Sequence, residues 1–234
     1  QRANYCDPPP RLRHGHHKEP RPHYSFTKIV GVPTSFPQTR ATDLAWFGSV
    51  QERMHLVMGK RFKKYVCYEG EGTEIDDPAA MATEVKRIAR FFGADLCGVT
   101  AVDERWHYAS RVDVRDFSEA PNDLPEGITS VIVLGHEMDE GLVATYPSAL
   151  AGASTGREYS HEAAIVIQLA AYIRNLGYQA IPSMNDTGLV IPYAVKAGLG
   201  EYARNQMVIT PEFGPRLRFS KIFTSLPLVH DVPE

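Results

Sequence analysis

The sequence predicts an α+β fold in which a mixed sheet carries helices on both of its faces. Apolar residues recur at spacings of three and four after Asp77 and again after Ser160, as on one face of an amphipathic helix. Short apolar runs at 95–100 (DLCGVT) and 130–135 (SVIVLG) have the length and composition of buried strands. Because helices alternate with short strands along the chain and the late strands are expected to pair as a hairpin, a layered α+β fold is favoured.

Two helices have clear boundary signals. The first begins at Asp77-Pro78, where a capping carboxylate precedes a proline at the first helical position, and Gly93 ends it. Ser160 is predicted to cap the second helix, and Gly177 follows its last apolar residue. These signals place two amphipathic helices against the sheet.

The remaining elements are predicted from turn signals. The Ala-, Gly- and Ser-rich stretch 142–157 is interpreted as a loop over a site. A polar loop at 183–188 leads into a helix that ends at Gly198, and Pro211 to Pro215 supply a hairpin-type turn. Three further strands are expected at 178–181, 207–210 and 217–224, the last two paired as a hairpin.

Composition excludes several classes of function. The net charge of −3 comes from 28 acidic and 25 basic residues, so the balance gives no case for nucleic acid as a partner. No apolar run approaches the roughly 20 residues that span a bilayer, so no transmembrane segment is predicted. Cys6, Cys67 and Cys97 are far apart and form no CxxC, which argues against a disulfide framework and against a cysteine-ligated four-iron cluster.

The first 40 residues differ in composition from the rest. They are rich in Pro, His and Arg and poor in aliphatic residues, which predicts an extended arm at 1–40 preceding one domain at 41–234. His14, His16 and His17 cluster within the arm, but no Cys, Asp or Glu completes a ligand pattern, so a metal site is not favoured. The compartment expected is the cytoplasm; because the chain starts at Gln1, export and association with the outer face of a membrane is the alternative.

A series of segments from residue 159 onward resembles one known family. These are YS, IRNLGYQAIPSMN, AVKAGLGEYARN, ITPEFGPRLR and KIFTSLPL, in this order over about 70 residues. The series is similar to the cobalamin-dependent reductive dehalogenases. The resemblance implies a nitroreductase-like layered fold, a corrinoid cofactor, a halogenated organic substrate and an electron donor. It also implies two four-iron clusters in a ferredoxin-like module, for which this chain has no cysteine ligands, so a fragment of a longer protein or a separate redox protein is expected.

The reaction implied by the resemblance replaces a carbon–halogen bond with a carbon–hydrogen bond and consumes two electrons and one proton. Tyr159 is the predicted proton donor, because a phenol keeps its proton at neutral pH. Arg218 and Lys221 are candidates for a cation that stabilises the resulting phenolate; they are three apart, so in a regular strand only one should face the tyrosine. Asn185 can orient the tyrosine, the substrate or the halide, although a plain turn-forming role explains this residue equally well.

Pocket and cofactor contacts follow from the same resemblance. Thr155, Trp106 and Tyr108 are predicted to line the substrate pocket. Corrinoid contacts are expected along two backbone segments, since glycine permits close approach of a large ligand; a helix C-cap is the alternative for Gly198. The predicted contact residues are Gly198, Leu199, Gly200, Thr224, Leu226, Pro227 and Leu228.

Other functions remain open from sequence alone. A cobalamin-binding or cobalamin-processing module without turnover has the same cofactor signals. An epoxyqueuosine reductase-like enzyme shares the cobalamin scaffold, but the near-neutral charge counts against a tRNA substrate. A flavin-binding nitroreductase is a more distant alternative.

Overall fold

A four-stranded sheet forms the centre of the structure, a computed structural model that describes residues 72–112 and 116–233. The spatial order of its strands is β1-β4-β8-β5. The elements in chain order are α1 (Pro78–Phe92), β1 (Leu96–Ala101), β2 (Ser110–Val112), β3 (Glu119–Pro121), β4 (Ser130–Glu137), α2 (Glu140–Val143), α3 (Ala149–Asn175), β5 (Ala180–Ser183), α4 (Val190–Lys196), β6 (Glu201–Tyr202), β7 (Val208–Ile209) and β8 (Leu217–Thr224).

All pairings in the central sheet are antiparallel within the described residues. Strand β4 pairs with β1 on one side and with β8 on the other, and β8 pairs with β5. The prediction of a mixed sheet is therefore wrong for this part of the chain. Alternation of helices and strands in a sequence indicates layers, but it does not determine the direction in which each strand returns to the sheet.

Helices cover both faces of the sheet, as predicted. Helices α1 and α3 pack on one face, where Ile88, Leu169 and Ile222 are fully buried in a shared cluster. Helix α4 covers the other face through Tyr193, which lies in a second cluster with Phe223. Successive side chains of β8 point to opposite faces of the sheet, so neighbouring residues of this strand belong to different clusters.

The boundary signals of α1 are confirmed. The Asp77 side chain accepts hydrogen bonds from the backbone N–H groups of Ala79 and Ala80, and Gly93 ends the helix in the left-handed region at φ 110°. Cys97 lies in the adjacent strand and is buried, as expected for a small apolar side chain. Burial raises the pKa of its thiol to about 12.

Helix α3 begins twelve residues before the predicted start, since its N-cap is Ser148 and not Ser160. The Ser148 hydroxyl accepts a hydrogen bond from the backbone N–H of Ala151, and Ser160 lies within the helix. The interpretation of 142–157 as a loop is therefore wrong over most of its length. Alanines in this stretch favour a helix despite Gly152 and Gly156, and burial of Ala151 and Ser154 stabilises the added turns.

The late strands do not form the predicted hairpin. Strand β7 pairs with β6, and β8 instead joins the central sheet. The turn between them closes locally, through paired backbone hydrogen bonds between Thr210 and Gly214. Turn chemistry identified the reversal correctly, but it gave no information on the long-range partner of β8.

Several predictions concern parts of the chain outside the described residues. The arm at 1–40 and its histidine cluster are among them. Within the described residues, no helix combines the length and hydropathy that a membrane crossing requires.

Candidate active site

Tyr159 lies in the third turn of α3, and 38% of its surface is exposed. It was expected at a junction between a loop and a helix, which is wrong because the helix starts earlier. Thr155 is one turn before it and therefore shares its side of the helix. The Thr155 hydroxyl lies 3.7 Å from the Met138 sulfur, and a place for Thr155 in the pocket wall stays a prediction.

Asn185 contacts the tyrosine hydroxyl directly. Its side-chain Nδ2 donates a hydrogen bond to the Tyr159 oxygen at 3.0 Å. Asn185 lies in the loop that follows β5, and this loop is tightened by Asp186, whose carboxylate accepts hydrogen bonds from the Met184 backbone and the Ser183 hydroxyl. The loop held in this way presents the Asn185 amide to Tyr159.

Lys221 holds the same loop from the sheet. Its ammonium donates hydrogen bonds to the backbone carbonyls of Met184 at 2.8 Å and of Asp186 at 3.0 Å, one on each side of Asn185. The side chain is fully buried, and burial lowers the pKa of its ammonium to about 8. Lys221 therefore fixes the loop rather than contacting Tyr159.

Arg218 is the cation that reaches the tyrosine. Its guanidinium carbon lies 3.4 Å from the centre of the Tyr159 ring, a cation–π arrangement. In β8, Arg218 shares a face with Ile222, which packs toward α3, whereas Lys221 shares the opposite face with Phe223. The prediction that only one of the two cations faces Tyr159 is confirmed, and no bulge is needed to explain it.

Glu162 was not predicted as a site residue, although it lies three positions after Tyr159. Its carboxylate is fully buried, 3.6 Å from Nε of Arg218. Burial raises the pKa of Glu162 to about 7, an effect that the charge of Arg218 opposes. The signal available in the sequence was a glutamate at a position where the apolar face of α3 calls for an apolar residue.

A second group of buried polar residues lies between α3 and the sheet. His136 in β4 is fully buried, and its Nε2 lies 2.8 Å from the Ser220 hydroxyl. Burial lowers the pKa of His136 to about 4, so it is neutral near pH 7. Its ring meets that of His161 edge to face at 6.2 Å, and His161 in turn contacts the buried Glu158. This group borders the Glu162–Arg218 pair.

Trp106 and Tyr108 are not brought to Tyr159. The Trp106 ring packs edge to face on Tyr193 at 4.8 Å, on the α4 side of the sheet. Tyr108 lines a cavity of about 640 Å³ whose lining does not include Tyr159. Both residues instead support the Asn185 loop, through backbone hydrogen bonds from Leu189 to Trp106 and from Tyr108 to Thr187.

The first predicted cofactor segment, 198–200, follows α4. Gly198 and Gly200 border a cleft of about 440 Å³. A Cβ at Gly200 would collide with the Ile209 carbonyl oxygen, and a Cβ at Gly198 would lie 3.0 Å from that of Val232. Close packing of the protein's own backbone therefore accounts for both glycines. Leu199 packs in the apolar cluster under α4.

The segment after β8 is turned inward. Thr224 and Leu226 have no exposed surface, Leu228 is buried and Pro227 is partly buried. The Thr224 hydroxyl donates a hydrogen bond to the backbone carbonyl of Gln179 and accepts one from Leu226. Arg218 and Thr224 are six residues apart on one strand, about 20 Å, so the structure does not bring this segment to Tyr159.

Two polar side chains contact one phenol: the Asn185 amide at its hydroxyl and the Arg218 guanidinium over its ring. Because Asn185 donates to the Tyr159 oxygen, the phenol's own proton is free to point away from the protein. The Asn185 amide and the Arg218 guanidinium both stabilise negative charge on that oxygen. The described residues contain no cluster of three or more His, Cys, Asp or Glu that could hold a metal ion. The arrangement is suited to donating a proton to a bound molecule.

Comparison with solved structures identifies the architecture. The catabolic reductive dehalogenase NpRdhA has a TM-score of 0.59 and 25% identity, over 70% of this chain and 24% of that protein. A reductive dehalogenase structure described for B12-dependent dehalogenation has the same TM-score and 26% identity, over 70% of this chain and 23% of that protein. The described fold is thus that of part of a reductive dehalogenase.

Sequence comparison agrees. The tetrachloroethene reductive dehalogenase of Dehalobacter restrictus is 34% identical over 202 residues, which cover 72% of this chain and 37% of that relative. The enzyme of the same name from Sulfurospirillum multivorans is 35% identical over 182 residues, 67% of this chain and 36% of that relative. No protein-family model matches the chain. The chain belongs to the reductive dehalogenase family, and it spans little more than a third of the length of these curated relatives.

Proposed function

We propose that this chain is the catalytic, corrinoid-binding part of a reductive dehalogenase that acts on a halogenated organic compound. The observation that carries the proposal is the Tyr159 hydroxyl, held by the Asn185 amide at 3.0 Å while the Arg218 guanidinium covers the ring. The chain's relatives are named for the reduction of tetrachloroethene, which makes a small chlorinated hydrocarbon the first substrate to try.

Each residue has a defined part in the proposed reaction. Tyr159 donates the proton that replaces the halogen on carbon. Arg218 and Asn185 stabilise the phenolate that remains until it is protonated again. Lys221 keeps the loop in place, so that Asn185 stays within hydrogen-bonding distance of the phenol. When bound, the corrinoid supplies the strong reductant, and its electrons come from an iron–sulfur module or a separate redox protein.

One surface next to Tyr159 fits a large flat cofactor. Gly152 and Gly156 lie seven and three residues before Tyr159 in α3, and a Cβ at either would meet no atom within 4 Å. Glycine inside an exposed helix costs about 1 kcal/mol relative to alanine, and no contact within the described residues requires it here. We infer that Gly152, Gly156 and Thr155 would face the corrinoid. The contacts predicted at 198–200 and 224–228 remain predictions.

The layering is proposed to be nitroreductase-like. Support comes from the antiparallel sheet covered by α1 and α3 on one face and α4 on the other. The likeness to reductive dehalogenases is compatible with this arrangement.

The proposal is tested by titrating the full chain with cobalamin. We expect the corrinoid to co-elute with the protein in gel filtration, with the absorption spectrum of a base-off form, and to do so equally with Tyr159→Phe. Added reductant and a chlorinated ethene should then release chloride from the wild type. Binding without chloride release from either protein would instead support a cobalamin-binding module without turnover. No binding by the wild type would contradict the proposal.

A further inference from the structure

The buried carboxylate of Glu162 has no conventional partner. The residue has no exposed surface, and neither carboxylate oxygen has a hydrogen-bond partner among the described residues. Burying a carboxylate without donors is costly, so such a group calls for a physical explanation.

Arg218 supplies that explanation. Its Nε lies 3.6 Å from the Glu162 carboxylate and is likewise without a hydrogen-bond partner in the described part of the chain. The same guanidinium lies 3.4 Å from the centre of the Tyr159 ring. Tyr159 and Glu162 are three apart in α3 and therefore neighbours on the helix, so the guanidinium contacts both at once.

We propose that Glu162 is a positioning residue, whose carboxylate holds the Arg218 guanidinium against Tyr159 and balances its charge until the phenolate forms. The inference rests on the proposed function, because its purpose is to prepare the cation for proton transfer. Arg218 contacts the tyrosine through the ring face, an arrangement that leaves its orientation about the ring undetermined. The Glu162 carboxylate next to Nε fixes the orientation of the guanidinium.

The charged groups around Glu162 come from three elements. Glu158 on its own helix disfavours the ionised form, while Arg218 and Lys221 on β8 favour it. His136 on β4 is neutral near pH 7, and His161 contacts Glu158. The pKa of Glu162 is raised to about 7 by burial, so the ion pair with Arg218 forms as the pH rises through neutrality.

The test is NMR of the full chain labelled with ¹⁵N-arginine, with the Arg218 Nε–H signal assigned by its loss in Arg218→Lys. A guanidinium held over an aromatic ring should give an upfield-shifted signal, and Tyr159→Phe should keep that shift because the ring remains. Glu162→Ala should lose it. Glu158→Gln is the matched control, another buried acid of the same helix, and should leave the signal in place. In the wild type, the shift should follow pH with a midpoint of about 7.

The proposal is overturned if the Arg218 signal is unchanged in folded Glu162→Ala. If that variant does not fold, the wild-type titration decides, and a shift that stays flat from about pH 5.5 to 8.5 overturns the proposal. In a chloride-release assay, Glu162→Ala should lower kcat roughly tenfold or more with little change in KM, since misplacing a catalytic group by about 1 Å is that costly. Absence of turnover in the wild type would contradict the proposed function alone, because the NMR result is independent of it.

Discussion

Replacing Glu162 with Gln should stabilise the folded chain at alkaline pH and not at acid pH. The carboxylate is fully buried, and its pKa rises from the ordinary 4.5 to about 7 on folding. Between these two values the folded chain keeps a proton that the unfolded chain has lost. The stabilising effect of that proton is present below pH 4.5 and is lost as the pH rises through 7.

The magnitude follows from the size of the shift. One pKa unit corresponds to about 1.36 kcal/mol, so a shift of about 2.5 units is about 3 kcal/mol in total. Most of this change falls between pH 5 and pH 8, where we expect a cost of roughly 2 to 3 kcal/mol for the wild type. Glutamine has the same shape as glutamate but does not ionise, so the stability of Glu162→Gln should lack this pH-dependent cost.

The assay is urea unfolding of both proteins at pH 5, 6, 7 and 8. The difference in free energy of unfolding between Glu162→Gln and wild type should grow by roughly 2 to 3 kcal/mol across this range. Glu158→Gln is the control: it removes only one of the charges that disfavour ionised Glu162, so its gain across this range should be smaller. If the difference in free energy of unfolding between wild type and Glu162→Gln is the same at every pH, the reasoning is refuted, since Glu162 would then have the same pKa in the folded and the unfolded chain.

Three further predictions concern other parts of the site. The pKa of Lys221 falls to about 8 on folding, so between pH 8 and 10.5 only the unfolded chain holds this proton, and wild-type stability should rise by about 3 kcal/mol. Lys221→Met should show no such rise in urea unfolding. Equal pH slopes in the two proteins would contradict this prediction. Asn185→Ala should lower kcat for chloride release roughly 100-fold while cobalamin binding is retained, as for loss of one oxyanion donor, and an unchanged kcat would remove Asn185 from the mechanism. Gly156→Ala should raise stability by about 1 kcal/mol in thermal unfolding yet weaken cobalamin binding; equal affinity would show that this face is not the cofactor surface.

Local chemistry predicted several features correctly. The start and end of α1 followed from Asp77, Pro78 and Gly93, because capping depends on residues adjacent in sequence. The placement of Arg218 and Lys221 on opposite faces of β8 followed from strand periodicity alone. The contact between Asn185 and Tyr159 was one of several roles left open for Asn185, since the two residues are 26 positions apart and no local pattern connects them.

Features that depend on long-range packing were missed. The early start of α3 depends on burial of Ala151 and Ser154 against other elements, which composition alone does not reveal. The pairing of β8 with β4 joins residues more than 80 positions apart. Glu162 was overlooked because its role depends on a cation from another element, and a glutamate in a helix is ordinarily exposed.

The most direct test of the central claim is corrinoid-dependent chloride release by the full chain and by Tyr159→Phe. Both proteins would be loaded with cobalamin and supplied with a low-potential chemical reductant and tetrachloroethene. We expect equal cobalamin binding, chloride release by the wild type, and a loss of at least about 100-fold in Tyr159→Phe, because the phenol supplies the proton. Equal rates in the two proteins would contradict the assignment of Tyr159 as the proton donor.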